Sequence, residues 1–71
     1  MNILKEYQNE RQLNNPQLAE KAGLSLSNAR RIMSLTEEAL LKMPIDTAIR
    51  IRQGTGVDFI EHIEQILNNN E

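Results

Sequence analysis

The chain is expected to fold as a small all-α domain, and three observations carry that expectation. Apolar residues recur at helical spacing along its whole length. Residues that cap helices stand just ahead of the apolar runs. Strand signals are poor, with two aromatics, one valine and no alternating run. Seventy-one residues make one domain near the lower size limit for a self-supporting core, so 1–71 is read as a single unit.

Ile3, Leu4 and Tyr7 mark a first helix over about 2–12. Asn14 or Asn15 can cap a second. Asn14 with Gln17 three residues later matches a capping box, and Pro16 is tolerated in a first turn. That helix runs to Lys21 or Ala22 and buries Leu18 with Ala22. Gly23 then supplies a turn with positive φ, because a glycine inside a helix costs about 1 kcal/mol against alanine. Ser25 caps a third helix, whose inner face carries Ala29, Ile32 and Met33.

Thr36 caps the short segment EEALLK, with both glutamates at its positive end, and Pro44 ends it. Asp46 caps TAIRIRQ, which Gly54 closes. Asp58 with Glu61 opens the last helix, FIEHIEQIL, where Phe59, Ile60, Ile63, Ile66 and Leu67 share one arc. The tail NNNE is expected to fray.

The chain has no cysteine, so neither disulfides nor a cysteine-based zinc site hold it together. That fits a cytoplasmic setting. Charges begin at the fifth residue and no long apolar run follows, so neither a signal peptide nor a membrane span is expected. The formal charge of −2 is unevenly spread. Through Leu35 five Lys/Arg face three acids, a net +2, whereas from Thr36 on three face seven, a net −4. The first half suits phosphates, with the second half turned away.

Two short helices joined by a tight glycine turn form a helix-turn-helix, here over about 15–34, whose second helix enters the DNA major groove. Leu18, Ala22, Leu24, Ala29 and Ile32 make its apolar seam, and Ala19 is the small residue at the crossing. The opposite face shows Leu26, Ser27, Arg30, Arg31 and Ser34, types suited to phosphate and base-edge contact.

The run LKEYQNERQLNNPQLAEKAGLSLSNARRI resembles the Cro/phage-repressor type of helix-turn-helix domain (the xenobiotic-response-element-like family). IDTAIRIRQGTGVDFIEHI is similar to that family's fourth and fifth helices. The resemblance implies a compact repressor-like domain of five helices plus a short linking helix. It also implies a bacterial or phage transcription regulator that binds double-stranded operator DNA, often as a homodimer. On that resemblance Ser25, Leu26, Ser27, Asn28 and Arg31 occupy base- and phosphate-facing positions, with Asn15 and Gln17 near the backbone. Arg30 joins them as the neighbour of Arg31. Gln8 stands where the family often has an arginine reaching phosphate, and Leu26 where a polar base reader is commoner. An alternative is therefore an antirepressor or co-regulator that docks on another repressor protein through the same helix.

GTG at 54–56 is a helix stop rather than a phosphate loop, since no third glycine follows and no strand precedes it. His62, the single histidine, is expected on the surface without a nucleophile or ligand set around it. No cofactor, metal or enzymatic activity is expected.

Overall fold

A computed structural model describes residues 2–69. Among them are six helices and no strand: α1 (Ile3–Arg11), α2 (Asn15–Ala22), α3 (Leu26–Met33), α4 (Glu37–Leu40), α5 (Ile45–Thr55) and α6 (Phe59–Asn69). α2 packs on both α3 and α5, α1 lies against α3, and α6 covers α5 and α4. Leu4, Leu18, Ile32, Leu40, Ile51 and Phe59 are the largest fully buried side chains, one from each helix. Each contributes about 1.5–3 kcal/mol of transfer free energy, so every helix is anchored in one shared core.

Local chemistry sets most helix starts. Asn14 Oδ1 accepts from Gln17 N at 2.8 Å and Gln17 Oε1 accepts from Asn14 N at 2.9 Å, a complete capping box. Ser25 Oγ accepts from Asn28 N and Thr36 Oγ1 from Ala39 N, both at 3.2 Å. Asp58 Oδ1 accepts from Glu61 N at 3.0 Å and so caps α6. Asn2 does more than cap. Its Oδ1 accepts from Leu4 N at 2.8 Å while its Nδ2 donates to Ile32 O at 2.8 Å. One side chain thus satisfies an orphan donor of α1 and a C-terminal carbonyl of α3.

α1 and α2 close in the same way. Gln12 N bonds Asn9 O and Leu13 N bonds Gln8 O, while Gly23 N bonds Glu20 O and Leu24 N bonds Ala19 O. Both are Schellman closures, with a left-handed residue followed by a leucine that folds back onto the core. Gly23 takes φ 69° without strain, but at the end of α1 the left-handed position falls to Gln12, at φ 55°.

Several sequence expectations are corrected by tertiary contacts. α5 starts at Ile45, with Pro44 in the capping position and no side-chain cap, so Asp46 lies inside the first turn. There its carboxylate faces the positive helix end. Pro44 opens α5 rather than ending α4, which stops at Leu40 in a turn bonded from Lys42 N to Ala39 O. Gly54 lies within α5, and Gly56, at φ 81°, closes it. The reason is the crossing with α2: a Cβ on Gly54 would stand 1.9 Å from Lys21 O. Leu67 is 52 % exposed and leaves the buried arc of α6 to Phe59 and Ile66. α6 continues through Asn69, so 68–69 of the NNNE tail are helical; 70–71 lie outside the described residues.

The crossing makes a signed prediction. Helix propensity alone favours alanine over glycine by about 1 kcal/mol. Contact with the α2 backbone should instead make Gly54→Ala destabilising by about 1–3 kcal/mol. Thermal denaturation decides, and a raised melting temperature would rule out the close approach. The opposite sign is expected at Gln12, which is exposed and left-handed. Gln12→Gly should stabilise by about 0.5–1 kcal/mol, as relief of backbone strain outweighs the added freedom of the unfolded chain.

Candidate nucleic-acid interface

The helix-turn-helix geometry follows from two constraints on the end of α2. The left-handed Gly23 reverses the chain, and Leu24, half-buried, pins the turn to the core. Arg50 of α5 also leans over the turn: a Cβ on Gly23 would meet its Cγ at 3.2 Å. Leu18, Ala19 and Ala22 of α2, with Ala29, Ile32 and Met33 of α3, are buried, so the seam forms as the spacing predicts. α3 therefore presents its remaining side to solvent as one continuous face.

Ser25, Leu26, Ser27, Asn28, Arg30, Arg31 and Ser34 are all exposed on that face. Leu26 is 38 % exposed and is the apolar element among them. The two adjacent arginines diverge. Arg30 borders a cleft of about 200 Å³ together with Lys5, Asn15, Met33 and Ser34, on the α1 side of α3. Arg31 borders a larger groove of about 400 Å³ on the other side, floored by Leu35, Ala39 and Met43 and rimmed by Glu38 and Lys42.

Asn15 and Gln17 sit in the first turn of α2, and both have their amide oxygens occupied inside the molecule. Gln17 Oε1 serves the capping box, and Asn15 Oδ1 accepts from Gln8 Nε2 at 2.6 Å. That leaves the NH₂ group of each as the donor end, of a kind suited to phosphate oxygen. Gln8 itself is 5 % exposed, and its Oε1 accepts from Lys5 Nζ at 2.9 Å. The position where the resembled family often has a phosphate-reaching arginine is here a buried link between α1 and α2.

The remaining sequence features sit away from this face. His62 is half-buried on α6, its ring edge-on to Phe59 with centroids 6.4 Å apart. Arg11 stacks its guanidinium over the Tyr7 ring at 5.1 Å from the centroid. Among the described residues no group of three His, Cys, Asp or Glu is arranged to hold a metal. No described helix is long and apolar enough to cross a membrane. Lys5, not singled out by sequence reasoning, lines the same cleft as Arg30 and is linked to Asn15 through Gln8.

These features define a helix-turn-helix unit, α2 and α3 with the Gly23 turn between them, braced by α1. The comparison with known families agrees: residues 1–35 match the model of a winged helix-turn-helix DNA-binding family. The match spans α1, α2 and α3 and stops where the chain enters α4. A wing is a β-hairpin, and helices occupy the chain beyond the match among the described residues. No curated protein and no solved structure matches the chain.

The seam admits a direct check. Ala19 is 4 % exposed, so Ala19→Leu should overpack the interior and cost about 1–3 kcal/mol. Ser34→Ala, on the exposed side, should stay within about 0.5 kcal/mol of the parent. Equal chemical denaturation midpoints for the two would contradict this packing.

Proposed function

We infer that the protein is a small transcription regulator of the Cro/phage-repressor type, from a bacterium or phage and acting in the cytoplasm. It binds double-stranded operator DNA through α3, alone or as a homodimer. The observation that carries this reading is the α3 face: it is solvent-exposed, bears two arginines with short polar side chains, and is aimed outward by the Gly23 turn. The winged helix-turn-helix match over the same helices supports it. In this reading α3 lies in the major groove, with Ser25, Ser27, Asn28, Arg30 and Arg31 toward base edges and phosphates. The NH₂ groups of Asn15 and Gln17 meet the backbone and fix the register. The net charges of +2 through Leu35 and −4 beyond it favour approach by the α1–α3 side.

A second reading rests on Leu26. An exposed leucine at the start of a recognition helix offers no hydrogen bond to a base edge and no charge to phosphate. Ringed by Ser27, Asn28, Arg30 and Arg31, it has the anatomy of a protein hot spot. The protein then acts as an antirepressor or co-regulator, docking this face on another repressor.

Fluorescence anisotropy with a duplex from the upstream region of its own gene, with and without a co-encoded regulator, tests both readings. For a DNA binder, Arg31→Ala should preserve the fold. If Arg31 meets phosphate, the slope of log affinity against log salt should shrink by roughly one. If it meets guanine, discrimination at one base pair should fall by about 1–3 kcal/mol. Leu26→Gln keeps length and offers an amide, so tighter or re-targeted duplex binding is expected. Absence of duplex binding in parent and variant, with regulator binding lost in the Gln variant, would replace the DNA reading with the antirepressor.

A further inference from the structure

We propose that Asn2 is a positioning residue for DNA binding: its side chain latches the last turn of α3, the turn that carries Arg30 and Arg31, to the start of α1. The proposal rests on the DNA-binding reading above and adds to it a residue that touches no nucleic acid.

α3 ends unlike its neighbours. α1, α2 and α5 each close on a left-handed residue, Gln12, Gly23 and Gly56, which lets the chain just beyond tie down the last carbonyls. α3 closes on Ser34, at φ −101° and ψ 0°, with no left-handed residue. Its final carbonyls are held in another way. Arg31 O accepts from Ser34 N at 3.2 Å and from Ser34 Oγ at 2.9 Å. Ile32 O accepts from Leu35 N at 3.2 Å and, more closely, from Asn2 Nδ2 at 2.8 Å. Of these bonds only the last ties the end of α3 to another helix, across 30 residues of chain.

The donor is itself fixed in place. Asn2 is half-buried, and its Oδ1 accepts from N of Leu4, whose side chain is fully buried. An amide bonded at both ends has one orientation, so the α1 cap aims the NH₂ group at Ile32 O. α3 is thereby attached at two points. The Gly23 turn and the half-buried Leu24 fix its start, and Asn2 fixes its last turn. On that turn Ile32 is buried while Arg30 and Arg31 are exposed. Without the latch the turn frays as helix ends do, and the arginines must be ordered on binding, which opposes association.

The test uses the full chain and two variants that keep a cap on α1, since Asp and Ser serve there as Asn does. Asn2→Asp replaces the donor by an oxygen. In Asn2→Ser the single hydroxyl is taken up by the cap and leaves no second group for Ile32 O. The first arm is amide hydrogen exchange without DNA. At neutral pH the amides of residues 31–35 should exchange about two- to tenfold faster in both variants, relative to the core amides of α5, as expected for one net hydrogen bond. Below the ordinary carboxyl value of about 3.9, the Asp variant regains an O–H that donates to Ile32 O while its other oxygen keeps Leu4 N. Protection should return in that variant and not in Asn2→Ser, a recovery that loss of packing would not show. The ionisable groups near Asn2, Glu6 on its own helix and Glu37 and His62 across the adjoining cleft, are present in the parent and in Asn2→Ser, which serve as controls.

The second arm measures duplex affinity across a salt series. Asn2→Ser should lower affinity about two- to tenfold and keep the parent's log–log slope, because Asn2 meets no phosphate. A reduced slope would put Asn2 on the DNA itself and overturn the positioning role. Faster exchange with parental duplex affinity would overturn it too. Parental exchange in Asn2→Ser, or no acid recovery in Asn2→Asp, would overturn the latch. Faster exchange with acid recovery, in a protein that binds no duplex, would support the latch and retire the DNA reading.

Discussion

The structure depends on a close approach of two backbones at the C-terminal end of α2. Gly54 of α5 comes so near the Lys21 carbonyl that no Cβ fits between them. Four residues earlier on α5, the Arg50 stem lies against Gly23. α5 therefore touches α2 at its last turn and at the turn that follows it. The exposed face is placed by this contact together with the Gly23 turn and the Leu24 anchor. α2 ends where it does, Gly23 reverses the chain there, and α3 leaves with its apolar seam inward and its arginines outward. In a chain this small the direction of α3 is not set by bulk burial alone, because α3 brings only Ala29, Ile32 and Met33 to the core.

Around that contact, local hydrogen bonding decides where most helices start and where α1 and α2 stop, and long-range packing decides which glycine closes α5. Asn14, Ser25, Thr36 and Asp58 could be recognised as caps from sequence because each bonds a backbone N–H three residues on. The inner face of the helix pair was equally legible, since Leu18, Ala22, Ala29 and Ile32 keep one helical period on each side of a glycine. What was not legible involves partners distant in sequence. GTG at 54–56 offers two possible stops, and only the neighbouring α2 backbone shows that the first glycine serves a crossing and the second a closure. Asn2 reads as a polar N-terminal residue until Ile32 O is known to lie within its reach.

The same division holds at the candidate interface. Exposure of the Ser25–Ser34 side was readable from the period of the buried positions. The divergence of Arg30 and Arg31 was not, because it depends on which helices flank α3 on each side: α1 and the start of α2 on one, α4 and the start of α5 on the other. Adjacent residues on a helix are about 100° apart, so an Arg-Arg pair at the middle of an exposed face necessarily points to two different neighbours. The structural role of Gln8 was not legible for a related reason. The sequence marks Gln8 only as a departure from the arginine of the resembled family. Its meaning appears only when its two amide ends are found bonded to Lys5 and Asn15.

Leu26 and the two arginines bring the physics of the face to a single question of solvation. A phosphate-lined groove rewards donors that stay partly hydrated and tolerates water at the contact. A protein partner rewards an apolar side chain that is fully dried, with arginines pairing at the rim. Leu26, more than a third exposed and adjacent to Ser25 and Ser27, gains most from drying, whereas Arg30 and Arg31 stand beside open clefts on either flank of α3. The cations lie at the flanks of α3 and the leucine near its start. With α3 in a major groove, as proposed, that arrangement would set charge beside the two phosphate strands and an apolar contact toward a thymine methyl or a partner side chain. The flanks, with Lys5 on one and Lys42 on the other, carry four cations against the single Glu38 among the residues lining the two clefts. That excess is a stronger argument for phosphate than the leucine is against it, because several cations arrayed on two sides match a duplex backbone, and one apolar side chain matches either surface.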